Sequence, residues 1–128
     1  MNYPDLFAAL GALFYAVSAS DGQIAEKEKE KLKEQTRKIW LDWEHSTDKF
    51  GSDSAHYISF EFETLLDEDA DMDYAWNQFK DFYHIHHSAF NPALRKRIQE
   101  TAAAVALAKS GYNKAELGIL TDLHLLMN

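Results

Sequence analysis

The fold of this chain is decided by Ala16-Val17-Ser18-Ala19-Ser20-Asp21-Gly22-Gln23-Ile24, with Glu28 four residues further on. An apolar run ends in small residues, an Asp-Gly pair follows, and a charged segment begins at once. Glycine permits the left-handed backbone conformation that often ends a helix. A carboxylate suits the start of the next helix, because it accepts backbone N–H groups and faces the positive end of the helix dipole. The stretch therefore predicts two helices joined by a sharp turn.

Composition outside this joint also favours long helices. The chain has 128 residues, of which 46% are hydrophobic, and only 5 Gly and 2 Pro interrupt it. This size predicts one domain, spanning residues 1–128, that can bury a core. The absence of cysteine excludes disulfides and thiolate metal sites, and we expect a cytoplasmic protein. A net charge of −8 argues against nonspecific binding to nucleic acid or to anionic membranes.

The N-terminal apolar run, from Leu6 to Val17, has two interpretations. It resembles the hydrophobic region of a secretory signal peptide, since small residues follow it. No basic residue precedes it, however, Asp5 does, and the run is too short to span a bilayer. We therefore predict an amphipathic helix, which begins near Pro4 and has one apolar face formed by Leu6, Leu10, Leu13, Phe14 and Val17.

The rest of the chain also has helical patterns. We predict a second helix over about 25–44 with a charged, solvated outer face, and a loop over 45–56. Residues 57–66 alternate like a strand but have no partner strand, so a short helix is favoured. Further helices are expected to open at Asp73, Pro92 and Asn113. The predicted core is Leu10, Phe14, Val17, Leu32, Ile39, Phe79, Ile98, Val105 and Leu120.

The last predicted helix is apolar on nearly every side. It contains Leu117, Ile119, Leu120, Leu123, Leu125, Leu126 and Met127. Such a helix is either central in the core or one wall of an interface. A homo-oligomer formed through this helix is therefore one arrangement that the sequence allows.

A weak internal repeat relates the two ends of the chain. When Gly22 is aligned with Gly111, alanine-rich segments precede both glycines, and Ala19 falls on Ala108. Glu28 has an approximate counterpart in Glu116, which lies one residue closer to its glycine.

The segment Asp21-Gly22-x-Ile24-x-x-x-Glu28 resembles the Asp-Gly-x-Ile-x-x-x-Glu signature of the tellurite-resistance TerB-like family. The resemblance is best over 6–32, fair over 94–126 and poor in the aromatic-rich middle. It implies a compact all-α bundle of about six helices in two pseudo-repeated halves. It also implies a role in stress response and tellurite resistance, close to membrane-associated or metal-handling partners. In the second half Lys109 and Ser110 stand where the signature would place its aspartate.

The same resemblance makes Asp21 and Glu28 candidate ligands of a divalent metal. Carboxylate oxygens suit Ca²⁺ or Mg²⁺, but these ions need several such ligands, so Glu116, Asp122 or waters would have to contribute. A structural role is the alternative, in which Asp21 caps the second helix and Glu28 pairs with Lys31.

Two other clusters contain residue types that bind metals. The acidic run over 67–73 fails the EF-hand template, because its sixth position is Met72 and its twelfth is Gln78. Asp81, His84 and His87 are spaced three apart, as ligands of zinc or iron on one helix face would be. They give the alternative prediction of a metal-dependent helical protein or enzyme. Surface imidazoles near a helix C-terminus are the simpler interpretation.

No nucleophile motif and no phosphate-binding loop occurs in the sequence. We therefore predict a non-catalytic accessory or interaction module of the TerB-like type, acting through a protein partner. We expect no nucleic-acid partner and no membrane span.

Overall fold

The computed structural model describes residues 3–20, 24, 26–35, 38, 40, 56–108 and 114–127. Within these ranges the regular structure is helical, without strands, which confirms the all-α prediction. Six α-helices are defined there: α1 (Tyr3–Ala19), α2 (Glu26–Gln35), α3 (His56–Asp67), α4 (Met72–Ile85), α5 (Pro92–Leu107) and α6 (Lys114–Met127). A short 3₁₀ helix, His87–Ala89, lies between α4 and α5.

Polar side chains fix the starts of two helices. Asp71 caps α4 by accepting a hydrogen bond from the Asp73 backbone N–H, and the helix begins at Met72, so the predicted opening at Asp73 lies one residue too late. Asn91 caps α5, with its Oδ1 2.8 Å from the Leu94 backbone nitrogen, and Pro92 occupies the first turn as predicted. Both caps satisfy N–H groups that a helix leaves without intrahelical partners. The ambiguous segment at 57–66 is helical, as favoured.

Helix α1 is the centre of the bundle. It packs against α3, α4, α5 and α6, most extensively against α3 and α4. Every residue from Ala9 to Ser18 is buried, so the helix has no solvated face along this length. The prediction of a single apolar face was therefore wrong. Alanine, glycine and serine fill the positions between the large side chains, and their small size lets neighbouring helices close around α1 on all sides.

Gly11 sets the closest approach of α1 to α3. A β-carbon at position 11 would lie 2.5 Å from the carbonyl oxygen of Ile58 and 2.8 Å from Cβ of Glu61. Both distances are shorter than van der Waals contact allows. Only glycine therefore permits these two helices to cross at this separation.

The predicted core is largely confirmed. Leu10, Phe14, Val17, Leu32, Phe79, Ile98 and Val105 are buried, and Leu120 is partly buried against them. Ile39 lies outside the described residues. Of the two alternatives for α6, the central position is wrong, because Ile119, Leu123 and Met127 face the core while the opposite side of the helix is exposed. The alternative of an interface wall stays a prediction. The predicted central position belongs to α1.

Arg95 ties the end of α6 to the start of α5. Its Nε donates to the carbonyl oxygen of Phe90 at 2.7 Å, and its Nη1 donates to that of Met127 at 3.0 Å. Hydrogen bonds from a charged donor are stronger than neutral ones. The C-terminal turn of α6 is thereby held against the bundle. None of the helices described here is both long enough and apolar enough to cross a membrane.

Candidate functional site

The first predicted pair, Asp21 and Glu28, is only half described. Asp21 lies outside the described residues. Glu28 is the third residue of α2 and is fully buried, although its neighbours Glu26, Lys27 and Glu30 are exposed. The prediction that this whole charged stretch faces solvent was therefore wrong at Glu28. Glu28 lies one helical turn before Leu32, on the same side of α2. The rotation of α2 that buries Leu32 therefore also turns Glu28 towards the bundle.

Glu116 occupies the matching place in the other half of the chain. It is the third residue of α6, as Glu28 is of α2, and it too is fully buried. Buried carboxylates at these positions lie within the first turn of a helix, where the macrodipole favours negative charge. The sequence repeat pointed to Glu116 as the counterpart of Glu28. Composition alone gave no sign that either side chain is buried.

Carboxylates at two buried helix starts can act in two ways. They can satisfy backbone N–H groups at the helix starts, or they can offer hard oxygen ligands to Ca²⁺ or Mg²⁺. Among the described residues, no group of three or more His, Asp or Glu side chains is arranged to hold a metal ion. Glu28 and Glu116 therefore lack a complete ligand set within the part of the chain that the structure describes.

The second predicted cluster is not assembled. Asp81, His84 and His87 are all exposed, and α4 ends at Ile85, with His86 as its C-cap. His87 therefore begins the 3₁₀ helix and does not continue the face of α4 that carries the other two side chains. The rings of His84 and His87 instead lie edge-on to Tyr83, at centroid distances of 6.0 and 5.5 Å.

The outer side of α6 carries two exposed leucines, with the exposed Thr121 between them. Leu117 is 49% exposed and Leu125 is 70% exposed, and the two residues lie about two turns apart on this helix. Between them, Gly118 is also exposed, and a β-carbon there would meet nothing within 4 Å. Sequence reasoning identified the apolar character of α6 but not which side remains open.

Comparison with protein-family models, curated proteins and solved structures finds no significant match to this chain. The resemblance to the TerB-like family therefore rests on the residues themselves.

Proposed function

We propose that this chain is a non-catalytic accessory or interaction module of the TerB-like type. The observation that carries the proposal is the matched burial of Glu28 and Glu116, each at the third position of a helix in its own half. The first of these glutamates is the last residue of the Asp-Gly-x-Ile-x-x-x-Glu segment. A buried carboxylate that recurs at equivalent positions is what two diverged copies of one helix–loop–helix unit would retain.

The outer side of α6 is the surface through which we propose that a protein partner binds. Exposed leucines cost free energy in water, about 25 cal/mol per Å² of apolar area, and a partner that covers them recovers it. Gly118 would allow a partner helix to approach the α6 backbone closely. The associated roles in tellurite resistance and stress response belong to the same proposal and derive from the family resemblance.

The test is affinity capture from the source organism with the tagged chain, read by quantitative mass spectrometry. We expect one protein to be enriched by the wild type and lost with the double variant Leu117→Gln, Leu125→Gln. The matched control is Ile85→Gln, which alters another strongly exposed apolar side chain, 76% exposed on α4. An enrichment profile that is identical for wild type and double variant would contradict the proposal. Light scattering of the purified chain shows whether the bound partner is a second copy.

A further inference from the structure

A groove opens where the α3–α4 connection meets the end of α1. Its volume is about 510 Å³, and its floor is formed by Tyr15, Ala19, Ile24 and Leu66. The connection itself, residues 69–72, forms the other wall. The Tyr15 hydroxyl donates a hydrogen bond to the Ala70 carbonyl oxygen at 2.6 Å, which holds this wall against α1.

A second cleft adjoins the groove at Met72. This cleft has a volume of about 270 Å³ and reaches Trp76 on α4 and Ile119 on α6. Asp73 and Asp122 also line it. Met72 lines both depressions, and each also has carboxylates and apolar side chains in its lining. We call these two adjoining depressions the channel.

Negative charge is concentrated beside this channel. Residues 61–73 contain seven acidic side chains and no basic one, within a chain whose net charge is −8. Glu63 is compensated by Lys29 and Lys33 of α2, at 3.7 and 3.3 Å. In the part of the chain that the structure describes, no ion pair involves the acids of 67–73.

Two neighbouring groups respond to this charge. The pKa of the Tyr15 hydroxyl is raised, first by burial and then by the negative charges of Asp69 and Asp71. The pKa of the Glu61 carboxyl is also raised, by burial and by the charge of Glu68, against a hydrogen bond from Gln78 that lowers it. Burial is the larger cause of both pKa shifts, and the nearby negative charges add to it.

We propose that this channel binds a basic, partly apolar segment of a protein partner. Lysine or arginine side chains of the segment would lie against Asp69, Asp71 and Asp73. Its apolar side chains would occupy the floor between Ile24 and Leu66. The indole of Trp76 offers a face for a cation at the far end of the channel. The inference rests on the proposed function, since it names the kind of segment by which a partner is held. The channel reaches Gly118 of α6, which neighbours the exposed Leu117, but its acidic rim at Asp69 and Asp71 belongs to the α3–α4 connection.

Charge complementarity selects this occupant over an acidic or a neutral one. An acidic segment would bring like charges together at the rim, which opposes binding. A neutral apolar segment would fill the floor but leave the carboxylates uncompensated. A segment that is both basic and partly apolar compensates the carboxylates of the rim and also fills the floor. Its binding should weaken with salt, because the rim is exposed.

The test selects peptides from a random display library on the purified chain and measures their affinity by fluorescence anisotropy. We expect the selected peptides to combine lysine or arginine with large apolar residues. The key variant is Asp69→Asn, Asp71→Asn. Asparagine tolerates the positive φ of 51° at position 69 and can still cap α4 at position 71, so the fold should be retained. We expect this variant to bind the selected peptides at least about tenfold more weakly, equivalent to about 1.4 kcal/mol.

The matched control neutralises two exposed acids elsewhere, Asp81→Asn and Glu100→Gln, and should leave the affinity unchanged. The inference is overturned if the selected peptides lack basic residues, or if the key variant binds them as well as the wild type. The α6 double variant Leu117→Gln, Leu125→Gln should still bind the peptides. If that variant loses partner capture but still binds the peptides, the exposed leucines of α6 and the channel act independently.

Discussion

Gly11 of α1 lies beneath the backbone of Ile58 of α3, so close that a methyl group at position 11 would stand 2.5 Å from the Ile58 carbonyl oxygen. The neighbouring obstacle is Cβ of Glu61, which is also attached directly to the backbone. Neither atom is the end of a flexible side chain that could swing away. The crossing of α1 and α3 therefore depends on a residue without a side chain.

Gly11 and Gly118 predict opposite effects of the same substitution. Gly11→Ala should destabilise the protein by about 1–3 kcal/mol, because α3 must move to admit the methyl group. Gly118→Ala, on the open side of α6, should stabilise it by about 0.5–1 kcal/mol, since alanine is the better helix former. Urea unfolding of both variants measures the difference. Equal changes in the two variants would show that α1 and α3 do not cross at Gly11.

Phe14 tests the central position of α1. Its side chain is fully buried, and its removal in Phe14→Ala should cost about 3–5 kcal/mol. Thermal or urea unfolding gives the value directly. A loss below about 1 kcal/mol would be typical of a surface position and would contradict the packing of α1 described above.

Glu61 predicts a pH-dependent stability. Its pKa is raised in the folded protein by burial and by the charge of Glu68, so the folded state holds the proton more tightly than the unfolded state does. This contribution is complete below the ordinary pKa of 4.5 and is lost as the pH rises through the folded-state pKa.

Glu61→Gln removes the charge and keeps a hydrogen-bonding partner for Gln78. The variant should therefore melt at a higher temperature than the wild type at neutral pH, and the difference should vanish well below the ordinary pKa of a glutamate. Melting curves across this pH range provide the test. A variant that is less stable than the wild type at neutral pH would show that the Glu61 charge is favourable.

Asp21 lies outside the described residues, but its role can be tested by stability. If it caps the second helix, Asp21→Asn should retain most of the stability, whereas Asp21→Ala should lose about 1 kcal/mol. Both results should be the same in chelator and in millimolar Ca²⁺ or Mg²⁺. A metal-dependent rise in the melting temperature of the wild type, weakened by Asp21→Asn, would instead establish a metal site.

Within the described residues, the sequence was sufficient for the helices and for most of the core; the predicted end of the second helix near residue 44, the loop at 45–55 and the helix start at Asn113 lie outside them. Apolar positions at helical spacing identified Phe14, Phe79 and Ile98, because each depends only on the periodicity of its own helix. The start of α5 was equally clear, since proline suits the first turn of a helix.

The features that were missed depend on how helices are placed around each other. The alternation of glutamate and lysine in α2 is typical of a solvated helix, and only the rotation of that helix against α5 decides that Glu28 is buried. Likewise, the apolar residues of α6 left two alternatives open, a central helix or one wall of an interface. The centre is occupied by α1, whose smaller side chains allow closer packing on all sides. The acidic channel joins side chains as far apart in sequence as Tyr15 and Asp122, which no local pattern reveals.

The most direct test of the proposed interaction surface is site-specific photocrosslinking in the source organism. A photoreactive amino acid placed at Leu125, which is 70% exposed on α6, should form a covalent adduct with a partner protein. The same group placed at Lys96, whose side chain is 79% exposed on α5, should not form that adduct. The proposed partner surface on α6 predicts one adduct, specific to position 125. Its size identifies either a distinct protein or a second copy of this chain. Absence of an adduct at position 125, or the same adduct from both positions, would contradict it.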